Sequence, residues 1–446
     1  MRRLLARLGD PHAGLRVVHV AGSKGKGSTV LLAESVLRAA GLRVGAFTSP
    51  HLERWTERFR IDGREVEGVR LAAAVEGLRP HVDALRAEAP EDAPTFFDAT
   101  TAAALVLFRE AEVDVVLLEV GLGGRLDSTN VVTPAVSCIT SIELEHTDRL
   151  GTTHAAIARE KAGILKPGVA AVVGELPAEA RRVVRERALE LAAPVAWWQR
   201  DVRVEVGEDT GQGLPIRIQD GDFSATAWLP LLGGHQAANA ALAVACVRRA
   251  GVLDDVTLAA AARRGLAQVV LPARTELLRR RPAILVDAAH TAASARALAR
   301  VLSTLPRRRT RLVLSISSDK DVTTLLAELL PAASQVTVTR AEPTRSLEPA
   351  GDPHDQVRAR QRVDVGRHEG GRVDQAHARL AEQSMGQMRQ VVAPQVLPNL
   401  GLEGGFRRFR SRQCCRLGRG ARRARARRDF GRAARGARSR RGRTSP

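Results

Sequence analysis

The stretch Val17-Val18-His19-Val20-Ala21-Gly22-Ser23-Lys24-Gly25-Lys26-Gly27-Ser28-Thr29 reads as strand, loop and helix in thirteen residues. Val17 to Val20 are a short buried-strand pattern. The glycine-rich turn that follows can bend tightly and expose its backbone N–H groups. A helix is expected from about Ser28 to Ala40, with Val30, Ala33, Leu37 and Ala40 on one face. Gly41 closes it, and Leu42 to Phe47 resumes a strand. A loop of this kind between strand and helix cradles phosphates, because backbone donors and the helix N-terminus converge on it. Lys26 would reach the β- and γ-phosphates, and the hydroxyls of Ser28 or Thr29 can face Mg²⁺. The spacing is not that of GxxxxGK[ST], because Gly27 separates Lys26 from Ser28.

Outward from this loop, the pattern continues as alternating strands and helices. Val113–Leu118 and Val136–Thr140 read as continuous, largely apolar strands, broken only by Asp114, Ser137 and Thr140, which fits parallel strands covered on both faces. Residues 201–230 alternate instead and predict a small antiparallel patch, followed by a helix over 236–250. A second α/β unit begins near Pro272. Its strands are expected at Ala283–Val286, Leu312–Ile316 and Gln335–Thr339, and its helices at Ala292–Leu305 and Val322–Leu330. After Ala350 no apolar period persists.

The chain has 446 residues, 44% hydrophobic and 26% charged, enough for two or three domains with a large core. Its formal charge of +20 is uneven: residues 351–446 hold 24 Arg against 8 acidic residues. The rest is nearly neutral, which excludes a whole-protein nucleic-acid binder. The tail is expected to be disordered or an out-of-frame continuation, and to bind nucleic acid only non-specifically. Cys138, Cys246, Cys414 and Cys415 show neither metal spacing nor a disulfide framework. No signal peptide and no membrane helix is expected, so a cytoplasmic setting is the default.

Lysine is rare, five residues against 64 arginines. Where it occurs, chemistry that arginine cannot perform gains weight. Glu119 closes the strand ending at Leu118, where α/β ligands bind, and suits a Mg²⁺ ligand; capping a nearby backbone group is the alternative. His146, in Glu145-His146-Thr147-Asp148, could hold a metal or be structural. Lys161, in Arg159-Glu160-Lys161-Ala162-Gly163-Ile164, could be functional or pair with Glu160 at the surface.

These segments occur in order with Thr48–Leu52 (TSPHL), Thr95–Asp98 (TFFD), Leu118–Asn130 (LEVGLGGRLDSTN), Gly233–Ala243 (GGHQAANAALA), Pro272–Leu278 (PARTELL), Asp287–Leu298 (DAAHTAASARAL), Ser317–Asp321 (SSDKD) and Thr339–Leu347 (TRAEPTRSL). Together they closely resemble the folylpolyglutamate synthase/dihydrofolate synthase branch of the Mur ligase family, over about residues 3–350. The resemblance implies a P-loop ATPase domain on a mostly parallel sheet over 1–270. It also implies an incomplete Rossmann-like, glutamate-ligase domain over 271–350, before the 351–446 tail. The implied reaction is ATP-dependent, ADP-forming addition of L-glutamate to dihydropteroate or a folyl-glutamate through an acyl phosphate. Ser23, Lys24, Gly25, Lys26, Gly27, Ser28, Asn239, Arg274 and Asp287 would bind ATP. Ser49, Glu119, His146 and Lys161 would hold Mg²⁺, Lys161 as a carbamate, with Glu119, His146 and Lys161 catalytic. Thr95, Phe96, Phe97, Asp98, Leu126, Asp127 and Ser128 would bind the pteroate. A monomer without a membrane partner is implied. The family's DGAHNP, PGR, DH and FFE patterns stand here as Asp287–Ala292, Pro272–Arg274, Glu145-His146 and Phe96–Asp98. Another Mur-type amino-acid ligase and an inactive truncated remnant stay open as alternatives. The LGGRLD and TFFD segments argue against the first.

Overall fold

A computed structural model of the chain describes residues 1–208, 213–305, 309–317 and 320–339. Its centre is an eight-stranded sheet of β1 (Val17–Ala21), β2 (Val44–Phe47), β3 (Phe59–Ile61), β4 (Arg64–Glu65), β5 (Val115–Glu119), β6 (Val136–Ile139), β7 (Ala170–Val173) and β8 (Val195–Trp197). The spatial order is β4-β3-β2-β5-β1-β6-β7-β8. All pairs are parallel except β2–β3 and β3–β4. β1, β2, β5 and β6 are buried at every position, as their largely apolar runs predict, and His19, Glu119 and Ser137 are buried with them. Chain order reverses around β1, so crevices open at the C-terminal ends of the central strands.

Helices cover both faces: α1 (Arg2–Arg7), α2 (Lys26–Ala39), α3 (Gly68–Glu88), α4 (Phe96–Glu110), α5 (Thr147–Leu150), α6 (His154–Ala162), α7 (Ala178–Glu190), α8 (Gly234–Ala250) and α9 (Asp255–Leu266). On one face Val30, Ala33 and Leu37 of α2 join Ala240 and Val244 of α8 and Leu258 of α9 over β1, β2 and β5. On the other, Leu105 and Phe108 of α4 pack with Leu71 and Leu78 of α3. The alternating segment folds into an antiparallel sheet of β9 (Val202–Val206), β10 (Leu214–Asp220) and β11 (Phe223–Leu229). Its inward residues are Ile216, Ile218, Ala225 and Ala227.

Beyond residue 270 come the hairpin β12 (Glu276–Arg280) and β13 (Ala283–Val286), then α10 (Ala292–Thr304). The parallel pair β14 (Arg311–Leu314) and β15 (Gln335–Val338) and helix α11 (Val322–Leu329) follow. Backbone contacts group Met1–Arg308 with Thr324–Ala332 in one compact unit. A second unit holds, among the described residues, the parts of Arg309–Thr323 and Ala333–Thr339 that carry the β14–β15 pair. The 351–446 tail, most of Thr339–Leu347, and Ser318 and Asp319 of the SSDKD segment lie outside the described residues. No described helix is long and apolar enough to cross a membrane. Cys138 and Cys246 are buried free thiols.

Candidate active site

The phosphate-type loop sits where β1 ends. Gly22 has φ +152°, and a Cβ there would lie 1.9 Å from Thr140 Oγ1. Helix α2 starts at Lys26, two residues before the expected Ser28, because Gly25 takes the left-handed N-cap conformation, φ 83°. A Cβ on Gly25 would meet Asn239 Oδ1 at 2.4 Å, so α8 covers the loop through this asparagine. The loop is tied to the segment after β6. Ser23 N donates to Ser141 O (2.8 Å), Lys24 N to Ser141 Oγ (2.9 Å), and Glu143 N to Ser23 Oγ (2.9 Å).

Three of the five lysines converge here. Lys26 Nζ donates to Gly22 O at 2.8 Å and Lys161 Nζ to the same carbonyl at 3.0 Å. Glu145 bridges the other two: Oε1 is 3.2 Å from Lys161 Nζ and Oε2 is 3.3 Å from Lys24 Nζ. Lys161 is 2% exposed, and Glu160 pairs with Arg125 instead. The surface Lys161–Glu160 pair is therefore excluded. Burial, reinforced by Lys26, pulls the Lys161 ammonium down to about 8, against the opposing pull of Glu145. Burial also opposes ionisation of Glu145, yet Lys161, Lys26 and Lys24 together hold it below the usual carboxylate range. Lys24 Nζ further lies 3.0 Å from His290 Nε2, whose Nδ1 meets Ala288 O at 3.0 Å. An ammonium only donates, so His290 accepts at Nε2 and donates from Nδ1.

Glu119 is buried at the end of β5 and accepts from Ser49 N at 2.9 Å. It therefore does cap a backbone group. It also faces the loop, since a Cβ on Gly27 would lie 3.3 Å from its Oε2. Burial raises its pKa against the pull of Lys26, Ser49 N and Arg274. Asp287 accepts from Thr275 N and Ala289 N, both at 2.7 Å. His146 is exposed in a left-handed conformation, φ 48°, at the N-cap of α5. Among the described residues no three His, Cys, Asp or Glu side chains form a ready metal cluster. The donors nevertheless fit a hard cation: a buried carboxylate faces the loop, and Thr29 Oγ1 is buried with no partner. Lys161 as an ammonium ligates nothing, so it fits a metal only once carbamylated.

The expected substrate segments form a second group. Thr95 N-caps α4 and shares a capping box with Asp98. Asp98 Oδ1 accepts from Ser128 Oγ at 2.8 Å. The Phe97 ring lies over Gly121, where a Cβ would come within 2.5 Å of its Cζ. Phe96 and Leu126 stand 64% and 78% exposed, and Trp55 lies 5.5 Å from Phe96 between ring centroids. Asp127 is engaged internally, accepting from Leu122 N and from Thr129 N and Oγ1. Glu145, His290 and Trp55 were missed as site residues. The rarity of lysine was a signal for Glu145, since buried cations need a carboxylate.

The Mur ligase middle domain family matches residues 20–247, and the dihydrofolate synthetase C-terminal domain family matches 273–389. A probable bifunctional folylpolyglutamate synthase/dihydropteroate synthase of Halobacterium salinarum is 39% identical over 345 residues, 77% of this chain and 42% of that protein. The chain thus spans less than half of that relative. The dihydrofolate synthase/folylpolyglutamate synthase of Bacillus subtilis is 36% identical over 340 residues, 74% of this chain and 77% of that protein. Among solved structures, Mycobacterium tuberculosis folylpolyglutamate synthase complexed with ADP and AMPPCP aligns with TM-score 0.73 and 34% identity, covering 78% of this chain and 80% of that one. An FPGS-AMPPCP-folate complex aligns with TM-score 0.72 and 34% identity, covering 78% and 86%. With the loop, the lysine cluster and the TFFD and LGGRLD segments gathered at the C-terminal ends of the central strands, the chain belongs to the Mur ligase family, in its dihydrofolate synthase/folylpolyglutamate synthase branch.

Proposed function

We propose that the chain is an ATP-dependent, ADP-forming ligase that adds L-glutamate to dihydropteroate, to folyl-glutamates, or to both. The observation that carries this is the convergence of Lys24, Lys26 and Lys161 on the Gly22–Ser28 loop, opposite buried Glu119. The γ-phosphoryl group passes from ATP to the substrate carboxylate, giving an acyl phosphate and ADP. The glutamate amine then attacks the acyl carbon, an amide forms, phosphate leaves and the amine proton is lost. Little covalent work falls to the protein, so positioning and charge dominate.

The residues divide this work as follows. Ser23 to Ser28 hold the phosphates through backbone N–H groups and Lys26, with Lys24 released from Glu145 as phosphate arrives. Asn239, Arg274 and Asp287 hold the rest of the nucleotide. Ser49, Glu119 and His146 would hold Mg²⁺, which supplies charge neutralisation at the phosphates when bound. Thr95 to Asp98 and Leu126 to Ser128 receive the pteroyl group. Lys161 gives up a proton and adds CO₂ as a carbamate; its pKa of about 8 brings that loss close to neutral pH. The ATP-binding part covers about 1–270, the glutamate-ligase part begins near 271, and the enzyme acts as a cytoplasmic monomer.

Purified protein with ATP and labelled glutamate tests the proposal. Incorporation into dihydropteroate or tetrahydrofolate is expected. Incorporation into a UDP-sugar peptide precursor alone would overturn it. Lys161→Arg keeps a cation but blocks carbamylation, so turnover should fall at least about a hundredfold, the scale of losing one essential charged group. Near-normal turnover in Lys161→Arg would refute the carbamate role.

A further inference from the structure

We infer that His19 is a positioning residue for the pteroyl-binding loop: through Thr129 it orients Asp127, and Asp127 fixes the segment from Gly121 to Ser128. The substrate class rests on the function proposed above; the hydrogen-bond chain does not.

His19 is fully buried in β1, in register with Leu118 of β5 and Ser137 of β6. Its Nε2 lies 2.8 Å from Thr129 Oγ1. Thr129 Oγ1 in turn lies 2.5 Å from Asp127 Oδ1, which also accepts from Thr129 N at 3.0 Å. Asp127 Oδ2 accepts from Leu122 N at 2.9 Å. Thr129 has one hydroxyl proton, and an ionised carboxylate can only accept. The proton therefore goes to Asp127, and Thr129 accepts from His19 Nε2–H. This fixes the tautomer and leaves Nδ1 a bare lone pair, and Nδ1 is indeed buried without a partner. A second proton would place an N–H in that partnerless spot. Burial, with the charge of Lys166, accordingly holds the imidazole pKa down to about 3. His19 is thus a fixed neutral donor throughout the physiological range.

A buried imidazole with an orphan nitrogen is a poor choice for packing alone, because valine or leucine fills a strand position without desolvating a polar atom. The benefit lies in the loop. Gly121, Gly123 and Gly124 give it freedom, and Asp127 pins it at Leu122 and Thr129. The next residue, Ser128, donates to Asp98 at the start of α4. The hydrogen bonds from β1 to Asp127, the peptide link from Asp127 to Ser128 and the Ser128–Asp98 bond therefore connect β1 to both pteroyl segments. Three residues after His19, the same strand delivers Gly22 and the phosphate loop. His19 so sets the pteroyl loop relative to the strand that carries the phosphate site.

The test uses the full chain and four variants. His19→Gln keeps an N–H near the Nε2 position, and His19→Leu removes it. Thr129→Ser keeps the hydroxyl, and Thr129→Val removes it. His19→Leu and Thr129→Val should each raise KM for the pteroyl substrate about tenfold, the scale of one lost buried hydrogen bond. KM for ATP and kcat should stay within about twofold, the usual reach of an uncoupled site. His19→Gln and Thr129→Ser should stay near wild type, and the His19→Leu/Thr129→Val pair should be no worse than either alone. Amide hydrogen exchange over 121–131 should accelerate in the apolar variants, while residues 22–29 stay unchanged. Parallel rises in both KM values, or unchanged exchange over 121–131, would overturn the inference. Exchange needs no substrate, so it decides the relay even if the wild type ligates no pteroyl compound. If His19→Leu does not fold, Thr129→Val leaves β1 intact and carries the test.

Discussion

A lysine on α6 and a histidine in β1 are both stripped of water, and both give up protons more readily than they do in solution. For Lys161 the consequence is reactivity, for His19 a pH-dependent stability. Unfolded, His19 takes up a proton near 6.5; folded, not until about 3. Between these values the unfolded chain binds more protons, so stability rises with pH there. His19's contribution is complete above about 6.5 and is lost on acidification toward 3, by up to ~1.4 kcal/mol per pH unit. Urea midpoints of wild type and His19→Gln should therefore converge or cross as pH falls from 7 to 4, the variant having the flatter profile. Both chains share the carboxylates, which cancel in the comparison. Parallel profiles would contradict the shift. At this scale the sequence was partly legible. Rarity singled out Lys161, but its sequence neighbour Glu160 drew attention from its real partner Glu145, sixteen residues upstream. His19 looked like one more residue of an apolar strand.

At the scale of elements, legibility followed the strength of the pattern. The strands β1, β2, β5 and β6 and the helices α8, α10 and α11 stand within a few residues of their expected places, because largely apolar runs and 3.6-residue faces leave few alternatives. Helix α3 carried no such signal: in 21 residues only Leu71, Ala74, Leu78 and Leu85 are buried, and Pro80 lies inside it. The β3–β4 hairpin is three and two residues long, too short for any period. The early start of α2 was hidden because Gly25 serves as a left-handed cap, where glycine marks a start rather than a loop. That geometry gives a prediction. Gly25→Ala should destabilise the protein by roughly 1–2 kcal/mol from the left-handed backbone alone. The overlap with Asn239 Oδ1 adds to this. Adding Asn239→Ala should recover the steric part and leave the backbone part. Urea denaturation of the two chains checks this, and no recovery in the double variant would mean that Asn239 does not press on the loop.

The whole molecule is electrostatically divided. Residues 390–446 hold 17 arginines against Glu403 and Asp429, while the first 350 residues are close to neutral. The motifs of the proposed ligase site all fall in that near-neutral stretch, so sequence alone could name them, although it could not show that Glu145 and His290 would meet the same lysine. The arginine-rich stretch has only Phe406, Phe409 and Phe430 as aromatics, too few to stack successive bases. Charge without stacking or a base-reading element predicts binding by counterion release alone. The full chain should therefore bind heparin and unrelated DNA sequences with similar affinity, weakening about a thousandfold or more between 50 and 200 mM salt. A chain ending at residue 389, where the C-terminal family match ends, should lose this binding. It should keep its affinity for ATP, because every residue assigned to nucleotide binding lies before residue 290. Filter binding across a salt series checks both chains. A salt-insensitive preference for one DNA sequence would show that the arginines read more than charge, and equal binding by the shortened chain would move the polyanion site into the body.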